Sequence, residues 1–237
     1  MPKTFLQAEW RKLVMANYSI DKKILNSHLP HKTEIDLWNN TCYVSLVGFM
    51  FLDTKVKGFK IPFHVNFEEV NLRFYVRYNR NGEWKLGVVF IIELVPKPAL
   101  TFIANTIYKE NYETLPMKHS WDSLPESLAV EYKWKKKSRW NSIKVITGKE
   151  AFPIEAGSEE EFITEHYWGY TKIDESKTSE YGVEHPPWAV YKTKDYSIDV
   201  DFGTVYGQAF EFLSSEKPLS VFLAEGSPIE VKEGKRI

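Results

Sequence analysis

Phe67-Glu68-Glu69-Val70-Asn71-Leu72-Arg73-Phe74-Tyr75-Val76-Arg77 is the stretch that decides the fold class of this chain. Successive residues of a strand point to opposite sides of its sheet. Phe67, Glu69, Asn71, Arg73, Tyr75 and Arg77 therefore share one face, and Val70, Leu72, Phe74 and Val76 the other. The second face is wholly apolar, so the stretch reads as a strand laid on a core. Asn79-Arg80-Asn81-Gly82 follows, and Asn-Gly favours a hairpin turn into a second strand, Lys85–Val95.

The same pattern repeats on either side. Trp10–Tyr18 reads as a strand, and Thr41–Leu52, rich in Val, Phe and Tyr, as one buried on both faces. Leu128–Trp134 and Arg139–Ile146 form an expected hairpin around Lys135–Ser138. Shorter strands are expected at Tyr167–Ile173, Trp188–Lys192, Tyr196–Asp201 and Ser220–Ala224. Helices are few. Asp21 is a natural N-cap for a short helix through His28, stopped by Leu29-Pro30. Pro98 opens Ala99–Tyr108, with Leu100, Ile103 and Ile107 at helical spacing. Ser158 and Glu161 form a capping box for a helix to Glu165, and Phe202–Leu213 reads as helical. The expected class is α+β dominated by antiparallel sheet, in a single domain over 1–237.

Composition narrows the partners. A chain of 237 residues with 43% hydrophobic and 15% aromatic residues can bury one substantial core. Lys+Arg at 31 against Asp+Glu at 32 leaves no net field to attract nucleic acid or anionic lipid. The basic stretch Lys133–Arg139, flanked by Trp134 and Trp140, reads as a hairpin tip rather than a base-stacking platform. No apolar run approaches the roughly 20 residues that span a bilayer. Charged Glu9 and Arg11 interrupt the start of the chain where a secretory leader would be apolar, and Cys42 stands alone. A cytoplasmic protein with no nucleic-acid or membrane partner is expected, with Cys42 as core packing. The six histidines include no pair at metal-binding spacing, and the glycines make no phosphate loop, so neither metal nor cofactor is expected.

Several segments carry a family resemblance. Tyr43-Val-Ser-Leu-Val-Gly-Phe49, Asn66 through Arg77, Gly87-Val-Val-Phe-Ile91, Leu115-Pro-Met-Lys-His119, His166-Tyr-Trp-Gly-Tyr170 and Val221-Phe-Leu-Ala-Glu-Gly226 resemble the YqjF-like family of uncharacterised bacterial proteins. The likeness runs from about Trp10 to about Val231. That family is similar in turn to the acetoacetate decarboxylase superfamily. Leu29-Pro-His-Lys-Thr-Glu-Ile-Asp36 resembles a turn of those enzymes, and Pro98 to Pro116 resembles the segment carrying their catalytic lysines. The resemblance implies a closed, cone-shaped antiparallel barrel with a central cavity for a small-molecule ligand, often within a homo-oligomer.

It also implies a site, with one decisive departure. Glu69 falls where those enzymes keep a catalytic glutamate. Their adjacent lysine pair aligns without a gap onto Asn111 and Tyr112, which supply no amine. Schiff-base decarboxylation is therefore not expected. Lys109 reads as a lysine in the last turn of its helix. Glu69 and Tyr112 are the candidate catalytic residues: a proton donor and acceptor, and a phenol able to hold an oxyanion. The competing reading of Tyr112 is an aromatic plug. Asn71, Arg73, Asn111, His64 and His119 are the candidate binding residues. For Arg73 and Arg77 two readings stand, an inward guanidinium or a structural ion pair with Glu68, Glu93 or Asp53. For His64 and His119 the alternative is an ordinary structural hydrogen bond. Two functions fit: an enzyme using acid/base chemistry on a small organic acid or carbonyl compound, or a non-catalytic binding or sensing protein.

Overall fold

The computed structural model describes residues 3–237 apart from the Ile107 side chain, so the third apolar position of the helix after Pro98 lies outside the described residues. Strands hold 59% of the chain and helices 14%, which makes the domain β-dominated. The first half contains β1 (Thr4–Ser19), β2 (Glu34–Ile35), β3 (Tyr43–Val56), β4 (Phe67–Arg80) and β5 (Glu83–Val95). Next come β6 (Tyr112–Thr114), β7 (Met117–Ser123), β8 (Leu128–Lys136) and β9 (Arg139–Pro153). The last are β10 (Trp168–Asp174), β11 (Lys177–Glu184), β12 (Ala189–Asp199), β13 (Ser220–Lys232) and β14 (Lys235–Arg236). Four short α-helices intervene: α1 (Lys22–Leu25), α2 (Pro98–Ile103), α3 (Glu159–Thr164) and α4 (Phe202–Tyr206).

Antiparallel pairing runs β13–β1–β3–β4–β5. β10 then joins β5 in parallel at Trp168↔Gly87 and Gly169↔Val88, and β11 follows antiparallel to β10. β11 returns to β13 at Val183↔Val231 and Glu184↔Glu230. Where a closed cone was expected, the strands make a ring that is only partly bonded, held at two junctions by two residue pairs each. From β13 the sheet also continues through β12, β9 and β8 to β7.

This arrangement gives the molecule two apolar layers, one on each side of β4. Val70, Leu72, Phe74 and Val76 belong to the outer cluster, which also holds Tyr132 and Trp134 of β8, Ile143 and Val145 of β9, and Phe202 and Val205 of α4. Phe67 and Tyr75 belong to the inner cluster, with Leu13, Val47, Phe49 and Trp188.

The expected elements are largely present, with physical reasons for the differences. The β4–β5 hairpin turns at Asn81 (φ 55°) and Gly82 (φ 91°), both left-handed, as that turn type demands. Asp21 caps α1 by accepting from the Lys23 amide at 2.9 Å, and Ser158 caps α3 by accepting from the Glu161 amide at 3.2 Å. The Glu161 carboxylate answers on the Gly157 amide, one residue before the position a capping box predicts. The helix after Pro98 changes to a π turn at Ala104–Tyr108 and ends on Lys109 with φ 62°. The helical run after Asp201 is interrupted at Gly207 (φ 106°) and resumes as a 3-10 turn over Gln208–Ser214.

Other elements depart from expectation. The two strands read at Trp188–Lys192 and Tyr196–Asp201 are one strand, β12, with register shifts around Thr193. β13 runs eight residues beyond Ala224, past Gly226 and Pro228, which by type read as breakers. β7 and β11 were not anticipated because Met-Lys-His-Ser-Trp-Asp-Ser and Lys-Thr-Ser-Glu-Tyr-Gly-Val-Glu are polar. In β11 the fully buried Glu180 carboxylate is compensated by Lys85 and Lys235, each at 3.1 Å.

Candidate ligand cavity

Inside the ring lies a cavity of about 560 Å³. Strand alternation delivers Phe67, Glu69, Asn71 and Arg73 of β4 to its wall. β5 contributes Val88 and Phe90, and then, against simple alternation, Glu93. A bulge explains the change of parity. Leu72 faces Ile92 but Arg73 faces Phe90, so Ile91 is an extra residue that re-aims everything after it. Glu93 is thereby turned inward beside Asn71 and paired with Tyr112 of β6.

Asn111 holds that bulge. Its side-chain amide donates to the Ile91 carbonyl, and its own carbonyl accepts from the Glu93 amide at 3.0 Å. Asn105, in the π turn, brackets Tyr112 by donating to its carbonyl and accepting from its amide, both at 2.8 Å. On the far wall Gly169 makes room for Tyr181. A Cβ at Gly169 would fall 2.1 Å from the Tyr181 ring.

The polar groups converge on one side of the cavity. Asn71 donates to Glu69 at 3.0 Å, and Arg73 donates to the Ile163 carbonyl at 3.2 Å. Among the described residues, Asn71 Oδ1, Arg73 Nε, Glu93 Oε2 and His166 Nδ1 are buried without a hydrogen-bond partner. Buried polar atoms normally find a partner in protein, water or ligand; Trp10 Nε1 and Thr54 Oγ1 on the same wall lack a protein partner too, as do Trp134 Nε1, Glu165 Oε1 and Tyr206 Oη elsewhere.

The acidities are displaced accordingly. Burial raises Glu69 to about 7, opposed by hydrogen bonds from Asn71 and Tyr112 and by the Arg73 charge. Glu110, whose carboxylate accepts from Thr171 at 2.7 Å, is also raised by burial to about 7. Glu93 is pushed well above the carboxylate range by burial and then by Glu69 and Glu110. Tyr112 and Tyr181 are held well above the ordinary phenol value by burial and these same acids. Near neutral pH, Tyr112 and Tyr181 are therefore hydrogen-bond donors, and burial favours the protonated form of Glu93.

The other candidate residues are dispersed. His64 lies on the cavity wall, half-buried, with Nδ1 2.9 Å from the Pro62 carbonyl. Arg77 points away from the cavity, pairs with Glu34 at 2.8 Å and stacks over Trp84. Asn111 is exposed and serves the bulge, and His119 lies on the outer surface with Nδ1 2.7 Å from Glu68. Neither Asn111 nor His119 is brought to the cavity. Lys109 is exposed. Burial pushes the Cys42 thiol up to about 11, which makes it inert packing. Among the described lining residues the lysine is Lys232, paired with Glu230 at 2.7 Å and Glu184 at 2.8 Å.

Four cavity residues went unseen as site residues in the sequence: Glu93, Glu110, His166 and His185. The bulge conceals Glu93, and Glu110 follows a helix end whose geometry no spacing rule foretells. His166 sits in a motif of the family resemblance. Its Nε2 lies 3.2 Å from Asp36, leaving Nδ1 for the cavity. His185 stacks on Trp188 at 4.3 Å, and burial pulls it below the ordinary imidazole value. A second hollow of about 680 Å³, an open charged groove beside Asp53, Lys55 and Glu184, gathers no such orphans among the described residues.

Residues 7–228 match the family model DUF2071, described as an uncharacterized conserved protein. The chain belongs to that family. A relative, the uncharacterized protein YqjF of Bacillus subtilis (strain 168), is 25% identical over 189 residues, covering 77% of this chain and 74% of YqjF. Among solved structures, acetoacetate decarboxylase from Legionella pneumophila superposes with TM-score 0.69 at 13% identity, over 98% of this chain and 87% of that one. The enduracididine biosynthesis enzyme MppR complexed with pyruvate gives TM-score 0.65 at 12% identity, over 100% and 91%. The DUF2071 chain thus shares the acetoacetate decarboxylase-like fold. No helix among its described residues is long and apolar enough to cross a membrane.

Proposed function

We propose that the partly bonded ring works as a closed barrel around a small organic acid or carbonyl compound, on which Glu69 performs acid/base chemistry without a Schiff base. The observation that carries this reading is the convergence of polar atoms of Asn71, Arg73 and Glu93, without protein partners, beside Glu69 and Tyr112 in a largely apolar cavity. Arg73 and Asn71 supply a donor and an acceptor for the ligand's head. Protonated Glu93 and Tyr112 supply donors for an oxygen that gains negative charge.

Glu69 suits proton transfer because a general base works best when its acidity lies near the working pH, and about 7 meets that condition. As a carboxylate it would take the proton alpha to a carbonyl, while Tyr112 donates to the enolate oxygen. Returning that proton, or one from solvent, regenerates both groups. Lys232 is unsuited to imine chemistry. Its hydrogen bonds to Glu184 and Glu230 raise its pKa, whereas an amine nucleophile needs a lowered one. The fold relative MppR complexed with pyruvate supports a ligand of this class.

The test is exchange of alpha protons for solvent deuterium in 2-oxo acids, followed by NMR. Wild type is expected to catalyse it, and Glu69→Gln to lose it by at least about a hundredfold while calorimetric affinity is retained. Undiminished exchange in Glu69→Gln would remove Glu69 from the mechanism. Binding with no exchange in wild type would leave a carrier or sensor.

A further inference from the structure

The cavity is much larger than its polar floor requires. At about 560 Å³ it is of a size that takes a drug-sized ligand, far more than a three-carbon keto acid fills. The surplus is apolar. Trp10 lies 5.4 Å from Phe49, Phe49 lies 5.3 Å from Phe51, and Phe51 stacks on Phe67 at 4.8 Å, all on the cavity wall. Apolar surface of this extent, left facing water, forgoes the free energy that its burial would release.

The apolar lining also reaches the surface. Leu100 and Ile103 of α2 and Ile61 of the β3–β4 loop line the cavity, and Ile61 and Ile103 are 43% and 46% exposed. Their sequence neighbours Phe63 and Phe102 are 88% and 70% exposed. The apolar lining therefore extends from the solvent-exposed Ile61 and Ile103 to the cavity that holds Glu69 and Arg73.

We infer that the ligand is amphipathic: a carboxyl or carbonyl head on the Glu69–Asn71–Arg73 floor, and a medium-length alkyl or aryl-alkyl body along the aromatic wall toward the mouth. This rests on the reading of the floor as a head-group site and adds the chemical class of the body. It makes the wall the determinant of affinity and the floor the determinant of position.

The experiment is calorimetric titration of the wild-type protein with two homologous series, straight-chain alkanoates and 2-oxo acids, from about three to about twelve carbons. Affinity is expected to rise about threefold to fourfold per methylene, at roughly 0.8 kcal/mol each, and to level off once the chain reaches the mouth. Short members that bind while longer ones bind no tighter would overturn the inference and leave the head-group site standing. Failure of every member of both series would overturn the head-group reading itself, and the inference with it.

Discussion

The two faces of β4 have the same backbone, the same neighbours and nearly the same burial, yet they serve opposite ends. Outward, Val70, Leu72, Phe74 and Val76 are fully buried in close-packed apolar surroundings. Inward, Glu69, Asn71 and Arg73 are as well hidden from bulk solvent, and two of them retain an atom without a partner. Burial of a polar group without a hydrogen bond opposes folding. The outward face therefore stabilises the domain, and the inward face is carried by it. Destabilised polar groups concentrated on one side of one strand are the mark of a site.

The sharpest way to break this contrast is to truncate each face. Phe74→Ala should cost about 3–5 kcal/mol, because the aromatic is deleted from a packed layer that collapses only partly. Asn71→Leu, three residues nearer Glu69 and on the inward face, should change stability by less than about 1.5 kcal/mol. It removes a bond to Glu69 but also an orphaned carbonyl oxygen. Denaturant unfolding at one pH measures both. Equal losses would show that the inward face is structural after all.

A smaller effect comes from the cavity acids. Glu110 is raised from an ordinary 4.5 to about 7, so the folded state holds a proton that the unfolded chain would release. That contribution is complete below about pH 4.5 and is lost as pH rises through 7. Glu110→Gln keeps an acceptor for Thr171 and does not titrate. Its stability should decline less than that of wild type between pH 5 and pH 8, the gap reaching at most about 3 kcal/mol at the alkaline end. Thermal melts at several pH values read it directly, and parallel curves would mean that Glu110 does not titrate in this window.

Much of the fold and part of the candidate site were legible in the sequence, and the boundary between them is physical. Alternation in β4 exposed the two faces at once, since Glu69, Asn71 and Arg73 lie on an unbroken strand. Tyr112 was reached through its alignment between Pro98 and Pro116. Glu93 was hidden because one extra residue, Ile91, reverses the parity, and nothing local to Ile91 announces a bulge. Asn111 shows the converse. Its position beside Tyr112 suggested a ligand contact, whereas its amide is used to hold the bulge that aims Glu93. β11 was hidden because its buried Glu180 is compensated by Lys85 and Lys235, distant in sequence. Periodicity reports faces, and it does not report which distant charge makes an inward carboxylate tolerable.

The smallest effect sharpens the contrast most finely, because it separates adjacent residues. Glu68 and Glu69 are consecutive carboxylates on β4. Glu69 faces the cavity, and Glu68 meets His119 on the outer surface at 2.7 Å. His119 meets Trp121 edge-on and stacks on Tyr132, and its ring is about one-third exposed. A pair so open to solvent is worth little, because screening and side-chain entropy offset most of the Coulomb attraction. His119→Ala should therefore shift stability by no more than about 1 kcal/mol, chiefly through lost stacking, and leave ligand affinity and proton exchange unchanged. A loss of exchange in His119→Ala would mean that Glu68 and Glu69 communicate through the strand. In that case the division between its two faces would be structural only.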